Sequence, residues 1–174
     1  MLASLEFGLR LVGFGGDYPL FVESATVPGA LEANAEVAHR YMATAGAPFA
    51  TIEPMPFREK KTPNTYRIVV QGGSSAAGYP YGRWGGLAGM LEDRLEATFP
   101  DREVEVVTTA MAAVNSYTLA DLAEEIVAIT PDAVLIYAGH NEFYGAGGVA
   151  TPTAFGLQAQ LRKLRIARLI EQLL

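Results

Sequence analysis

From Tyr66 onward the chain alternates between short apolar runs and longer stretches in which apolar residues return every three or four positions. Ile68-Val69-Val70 is a β-branched run suited to a buried strand, which predicts strand structure over 66–71. Trp84, Leu87, Leu91, Leu95 and Phe99 recur at helical spacing with Glu92, Asp93 and Glu96 between them. That spacing predicts a helix over 84–99, ended by Pro100-Asp101. Val104, Val106 and Val107 predict a second strand over 103–108. Leu119, Leu122, Ala123, Ile126 and Val127 predict a second helix to about Ile129, with Thr118 as N-cap and Asp121 completing a capping-box-like arrangement. Ala133 to Tyr137, nearly all apolar, is the third strand. Strand, helix, strand, helix, strand implies two right-handed crossovers and a parallel sheet, with the first strand between the second and the third.

The flanking segments read differently. Leu2, Leu5, Leu9 and Val12 share one helical face, and Glu6 and Arg10 form an i, i+4 pair. The run is too short to span a bilayer and lacks the basic start and cleavage site of a signal peptide. It predicts a short amphipathic helix packed on protein; the alternative is a helix lying at a membrane surface. Residues 15–65 carry Pro19, Pro28, Pro48, Pro54, Pro56 and Pro63 and show little periodicity. They predict an extended arm with a helical turn or two around Leu31 to Met42. A last helix is expected over Thr153 to Leu174, with Leu157, Leu161, Leu164 and Ile170 on one face. Arg162, Lys163, Arg165 and Arg168 mark its other face, a solvated one, with contact to an anionic membrane as the alternative. The organisation expected is an N-terminal helix and arm over 1–65 and an α/β domain over 66–174.

Composition narrows the function classes. Half of the 174 residues are hydrophobic and 18% are charged, as in a globular chain. The net charge of −6 argues against broad nucleic-acid binding. Without cysteine there are no disulfides and no thiolate metal sites.

The three loops at the carboxyl ends of the strands should meet on one edge of the sheet, where open α/β folds bind ligands. They carry Ser74, Ala110 and Asn141. Ester cleavage through serine needs an activated hydroxyl and donors aimed at the developing oxyanion. Ser74 supplies a hydroxyl and its own N–H, Ala110 a backbone N–H, and Asn141 a side-chain amide. The plainer readings are a Gly-Ser turn, a packing alanine and a turn asparagine. Ser75 competes with Ser74, and spacing alone does not separate them. The histidines are His39, in the arm, and His140, beside Asn141. A phosphate-binding loop is disfavoured, because no Gly-Lys-Ser/Thr ending follows the glycines.

Gly72-Gly73-Ser74-Ser75-Ala76-Ala77-Gly78 resembles the first motif of the SGNH, or GDSL-like, esterases and lipases, which places the nucleophile on its serine. Gly139-His140-Asn141-Glu142 resembles that family's Gly-x-Asn-Asp motif, and Thr109-Ala110-Met111 sits where its oxyanion glycine is expected. The strings GGSSAAGYPYG and YAGHNEFYG are similar to a bacterial branch often fused to helical repeats, over about residues 55–148. The resemblance implies a flavodoxin-like three-layer α/β/α fold of about five strands. It implies Ser74 as nucleophile, Ala110 and Asn141 as oxyanion donors, no metal or organic cofactor, and a small-molecule or polysaccharide ester as substrate. It also suggests the cell envelope as the compartment. Gly73 stands in place of the family's aspartate, Ala110 replaces the glycine, and the Asp-x-x-His motif that supplies the base is not found. The expectation is therefore the front portion of a longer protein, weak or inactive alone, with apolar surface on the uncovered side of its sheet. The alternative is a non-catalytic acyl- or carbohydrate-binding module.

Overall fold

The computed structural model describes residues 2–42, 51–143, 157 and 160–173. The chain opens with α1 (Leu2–Leu11), in which Arg10 Nε donates to Glu6 Oε1 at 2.8 Å. Three short strands follow, β1 (Phe21–Glu23), β2 (Ala30–Ala33) and β3 (Phe57–Arg58), paired antiparallel in that order. The turn between β1 and β2 is Val27-Pro28-Gly29-Ala30, with Gly29 at φ +76°. Proline then glycine at the two central positions suits a type II turn. The helical turn or two expected over Leu31 to Met42 is thereby narrowed to its second half. Leu31 to Ala33 are strand, held by the ladder to β1, and winding is confined to a 3-10 turn over Val37–Arg40. Residues 43–50 lie outside the described residues.

The parallel core is β4 (Thr65–Gly72), β5 (Glu103–Thr108) and β6 (Ala133–Tyr137). β4 is central, with Val69 opposite Val107 and Val70 opposite Leu135, which is the order the alternation implies. α2 (Ser74–Ala77) and α3 (Leu87–Thr98) follow β4; α4 (Ser116–Ala128) joins β5 to β6. Successive strand residues face opposite ways. Val70 and Val106 pack with Ala88 of α3, whereas Val69 and Val107 pack with Leu122 and Ile126 of α4. The result is a parallel sheet between two helical layers.

Two helix starts differ from the sequence reading. Gly86 is the N-cap of α3, a 3-10 turn covers Arg83–Gly85, and Trp84 is exposed. The cap of α4 is Asn115, whose Oδ1 accepts the Thr118 N–H at 3.4 Å, so Thr118 lies inside the helix. Asparagine stands at least level with threonine as an N-cap, and here its side chain rather than that of Thr118 meets the helix's free N–H.

The arm is part of the core. Leu20, Val37, Ile52 and Phe57 join the same apolar cluster as Val69 and Leu122. Arg40 donates to both oxygens of Glu125, at 2.7 and 3.0 Å, and Glu125 also accepts the Leu20 N–H at 2.7 Å. Tyr41 Oη donates to Asp121 at 2.7 Å; burial and that carboxylate push the phenol well above its ordinary range. Burial alone would raise the Glu125 carboxyl, but the hydrogen bonds from Arg40 and Leu20 outweigh it and hold it below the ordinary 4.5.

A depressed carboxyl contributes stability above its unfolded pKa and loses it as pH falls through the folded value. We expect the melting temperature to hold from neutral pH down to the ordinary carboxyl range and to fall below it. Glu125→Gln should be less stable than wild type at neutral pH, and the gap should close at about pH 3. Thermal unfolding across this range checks it; a gap that persists unchanged in acid would refute the link.

The last described helix is α5 (Arg165–Leu173). The single long helix expected from Thr153 is corrected: residues 160–162 are helical, and a turn at Lys163-Leu164 precedes α5. Residues 144–156, 158–159 and 174 lie outside the described residues, including the expected helix start. Arg165, expected on a solvated face, is buried, and its guanidinium reaches Gly16 O and Asp17. Glu6 of α1 accepts the N–H groups of Arg165 and Ile166 at 3.1 Å each, at the start of α5, where a helix favours negative charge. Val134 to Tyr137 of β6 are exposed, as expected of an uncovered side of the sheet.

Candidate functional site

β4 ends at Gly72, and its glycine is required by the neighbouring strand. A Cβ at this position would lie 2.0 Å from the Tyr137 carbonyl oxygen. Gly73 N–H donates to that same oxygen at 3.2 Å. The chain then turns into α2, with Ser74 at its first position. Ser74 is half-buried and Ser75 exposed. Neither hydroxyl is hydrogen-bonded to another described residue, nor is the Ser74 N–H. Gly78, at φ +82°, ends the turn, and its Cβ position would collide with the Gly82 carbonyl at 2.1 Å. A close glycine-lined strap therefore flanks the serines.

The second loop runs alongside. Thr109 N–H donates to Val70 O at 2.9 Å and Met111 N–H to Gly72 O at 3.1 Å. Ala110 is buried, and its N–H turns toward Thr108 Oγ1 at 3.3 Å. Ala110, two residues past the end of β5, therefore lies beside the end of β4, with its N–H facing the Thr108 hydroxyl.

The third loop brings Asn141 in. Its Nδ2 donates to Val114 O at 3.0 Å and lies 3.1 Å from where a Cβ on Gly73 would stand. Asn141 thus abuts the residue that precedes Ser74. A glycine at position 73 leaves the amide this space. An amide nitrogen carries two hydrogens, so one remains beyond the bond to Val114. Glu142 fixes the loop from the other side, accepting the Ser116 N–H at 3.0 Å and its hydroxyl at 2.7 Å. The clamp places a carboxylate at the first turn of α4, where the helix favours negative charge.

Neither histidine is hydrogen-bonded to Ser74. His140 is exposed, edge-on to Tyr137 with ring centroids 5.8 Å apart. His39 packs its ring on Tyr18 in the arm, 5.2 Å between centroids. No described carboxylate or imidazole is hydrogen-bonded to Ser74. Among the described residues there is no group of three His, Cys, Asp or Glu side chains that could hold a metal.

The arrangement offers a partly exposed hydroxyl, an unengaged N–H at the same residue, and a side-chain amide one residue away. Sequence reasoning did not find the Glu142–Ser116 clamp or the room that Gly73 leaves. Asn115-Ser116 ahead of an apolar run is a helix-start signal that could have located the Asn115 cap. Glu142 gave no signal of its own.

The two glycines make a paired prediction. Gly72→Ala should cost about 1–3 kcal/mol, because its methyl meets a backbone carbonyl that cannot yield without disturbing β6. Gly73→Ala should cost less, since its methyl meets a side-chain nitrogen that can move by a few tenths of an ångström. Urea unfolding of both variants checks the order; equal costs would contradict it.

No protein-family model matches the chain, and no curated protein matches it.

Proposed function

We propose that this chain carries the nucleophile and the oxyanion donors of a serine hydrolase of the SGNH type, acting on an ester (acyl) bond, on a flavodoxin-like fold. The observation that supports it most is the meeting of Asn141 with Gly73, beside a Ser74 hydroxyl that no described residue engages. This meeting lies between the carboxyl ends of β4 and β6, the first and third strands of a 2-1-3 parallel order. In flavodoxin-like sheets that is the switch point at which ligands bind.

In the proposed chemistry the Ser74 Oγ attacks the acyl carbon, and its proton passes to a base. The carbonyl π electrons move to oxygen, which the Ser74 N–H and the remaining Asn141 amide hydrogen stabilise. The Ala110 N–H would join them once the Thr108 hydroxyl gives way. Collapse of the adduct expels the alcohol with a proton, and water then releases the acid. A base from outside the described residues is required, because serine at neutral pH is a weak nucleophile without one.

A second reading has a specific observation behind it. Neither His39 nor His140 is hydrogen-bonded to Ser74, as suits an acyl- or carbohydrate-binding module that does no chemistry. Labelling with a fluorophosphonate probe, located by mass spectrometry, separates the two. A label on Ser74, lost in Ser74→Ala and kept in Ser75→Ala, is the result expected of the hydrolase. Saturable binding of an acyl ligand with no label on either serine would establish the module.

A further inference from the structure

We propose that Arg83 is a positioning residue for the candidate site: through one buried water it takes over the Thr108 hydroxyl and so frees the Ala110 N–H for the oxyanion. The water site stands on geometry alone; its consequence for Ala110 rests on the hydrolase reading.

Arg83 is 5% exposed, and a cation so deeply buried needs partners. Its backbone N–H donates to Glu53 Oε2 at 2.9 Å, and its Nη2 donates to Glu92 of α3. Glu92 in turn accepts the Val106 N–H at 3.3 Å, which ties the pair to β5. Gly89 of α3 makes room for the side chain. A Cβ there would lie 2.7 Å from the Arg83 carbonyl oxygen and 3.3 Å from its Cγ. The Trp84 ring centre is 5.6 Å from the guanidinium carbon, a contact of charge with ring face and not a hydrogen bond. One end of the guanidinium is left over. Nη1 is buried and has no hydrogen-bond partner among the described residues. A lysine would also meet Glu92 as a charge; the second nitrogen is what arginine adds.

Arg83 lines a cavity of about 20 Å³. Ala76 and Ala77 of α2 line it too, as do Thr108, the last residue of β5, and Ala110. The cavity therefore adjoins both the helix that begins with Ser74 and the loop that carries Ala110. A buried water needs roughly 10–15 Å³ and two to four polar partners, so the space holds one water and no larger ligand. Arg83, Thr108 and Glu53 are polar residues on its wall.

The Thr108 hydroxyl links this cavity to the site. Its Oγ1 accepts the Ala110 N–H at 3.3 Å, a longer bond than the usual ~2.9 Å. Thr108 is buried, so a hydroxyl turned away from Ala110 has to find another partner. A water held by Arg83 is that partner: it accepts from Nη1 and donates to Oγ1. The Ala110 N–H is then without an acceptor until an oxyanion reaches it. Hydrogen bonds are exchanged, and no buried group is left unpaired.

A crystal structure of the full chain that shows ordered water tests the site. The expected density is one water within about 2.7–3.2 Å of both Arg83 Nη1 and Thr108 Oγ1. The rate of fluorophosphonate labelling at Ser74 tests the consequence, in a cycle of Arg83→Lys and Thr108→Val. Arg83→Lys should slow labelling about tenfold, less than the loss of a whole oxyanion donor. In the Thr108→Val background the same change should cost less than about twofold, because the hydroxyl that masks Ala110 is gone. Arg83→Lys keeps a cation for Glu92, and melting temperatures of the four chains separate the effect from loss of fold. Absence of density between Arg83 and Thr108 in the wild-type chain would overturn the water site. An Arg83→Lys cost equal in both backgrounds would make Arg83 a purely structural residue and overturn the positioning role. A wild-type chain that takes no label would remove the hydrolase reading, and the role of the Ala110 N–H with it, while the density still decides the water.

Discussion

Arg67→Ala should destabilise the protein by about 3–5 kcal/mol, the range for breaking one partner out of a buried ion pair. The Arg67 side chain is fully buried beneath the arm. Its Nε donates to Glu105 at 2.7 Å, its Nη1 to Ile129 O at 2.6 Å, and its Nη2 to Arg58 O. The guanidinium also lies 4.9 Å from the centre of the Phe57 ring. One side chain thus joins β3, β5 and the end of α4. Alanine would leave a poorly solvated Glu105 carboxylate and two carbonyls without their donor. Arg67→Lys should recover little, because a single ammonium cannot serve three acceptors in a plane. The contrast is Arg58→Ala. Its 2.7 Å pair with Glu103 is at the surface, and its loss should cost under about 1 kcal/mol. Urea unfolding of the three variants measures this; an Arg67→Ala cost no larger than that of Arg58→Ala would sink the idea that the pair organises the fold.

The second large effect concerns turnover. In any form of the protein that hydrolyses an ester, Asn141→Ala should lower kcat by about 10²–10³-fold, as removal of one oxyanion donor does elsewhere. KM should change little, because the donor acts on charge that develops only in the transition state. The structure gives Asn141 one fold-holding bond, to Val114 O, so the melting temperature should move by no more than about 1.5 kcal/mol would imply. A collapsed melting temperature with intact kcat would make Asn141 a structural turn residue. Glu142→Ala discriminates further. It removes the Ser116 clamp without touching substrate, and should lower both kcat and stability, with Glu142→Gln recovering part of each.

The parallel core was legible because its signals are local and unopposed. Ile68-Val69-Val70, Val106-Val107 and Ala133–Tyr137 are too short and too apolar to be anything but strands once amphipathic helices lie between them. Handedness fixes each crossover, and the central place of the first strand is that of the flavodoxin-like order. The nearness of the loops that carry Ser74 and Asn141 was implied in the same way, since they follow the carboxyl ends of adjacent strands, but the contact of Asn141 with Gly73 was not. What the sequence did not reveal depends on partners far along the chain. β2 reads as neither strand nor helix until it is laid between β1 and β3. Arg67 interrupts an apolar run without announcing that Glu105 and Ile129 O await it. Arg165 belongs to a basic face by periodicity, yet reaches back to Asp17 and Gly16. Capping was misassigned by three residues, because Asn115 and Thr118 are both good caps and the loop geometry chose between them.

The arm that roofs α4 also sets a timetable for synthesis. Leu20 hydrogen-bonds Glu125, 105 residues later in the chain. At roughly 5–20 residues per second, Leu20 leaves the ribosome about 5–20 s before its partner has been made. Until that interval ends Leu20, Val37, Ile52 and Phe57, all buried in the finished fold, lack the complete α4 that covers them, although β4 is made about halfway through it. The nascent arm is therefore the stretch that a chaperone would hold longest, and release depends on completion of α4 rather than of the arm itself.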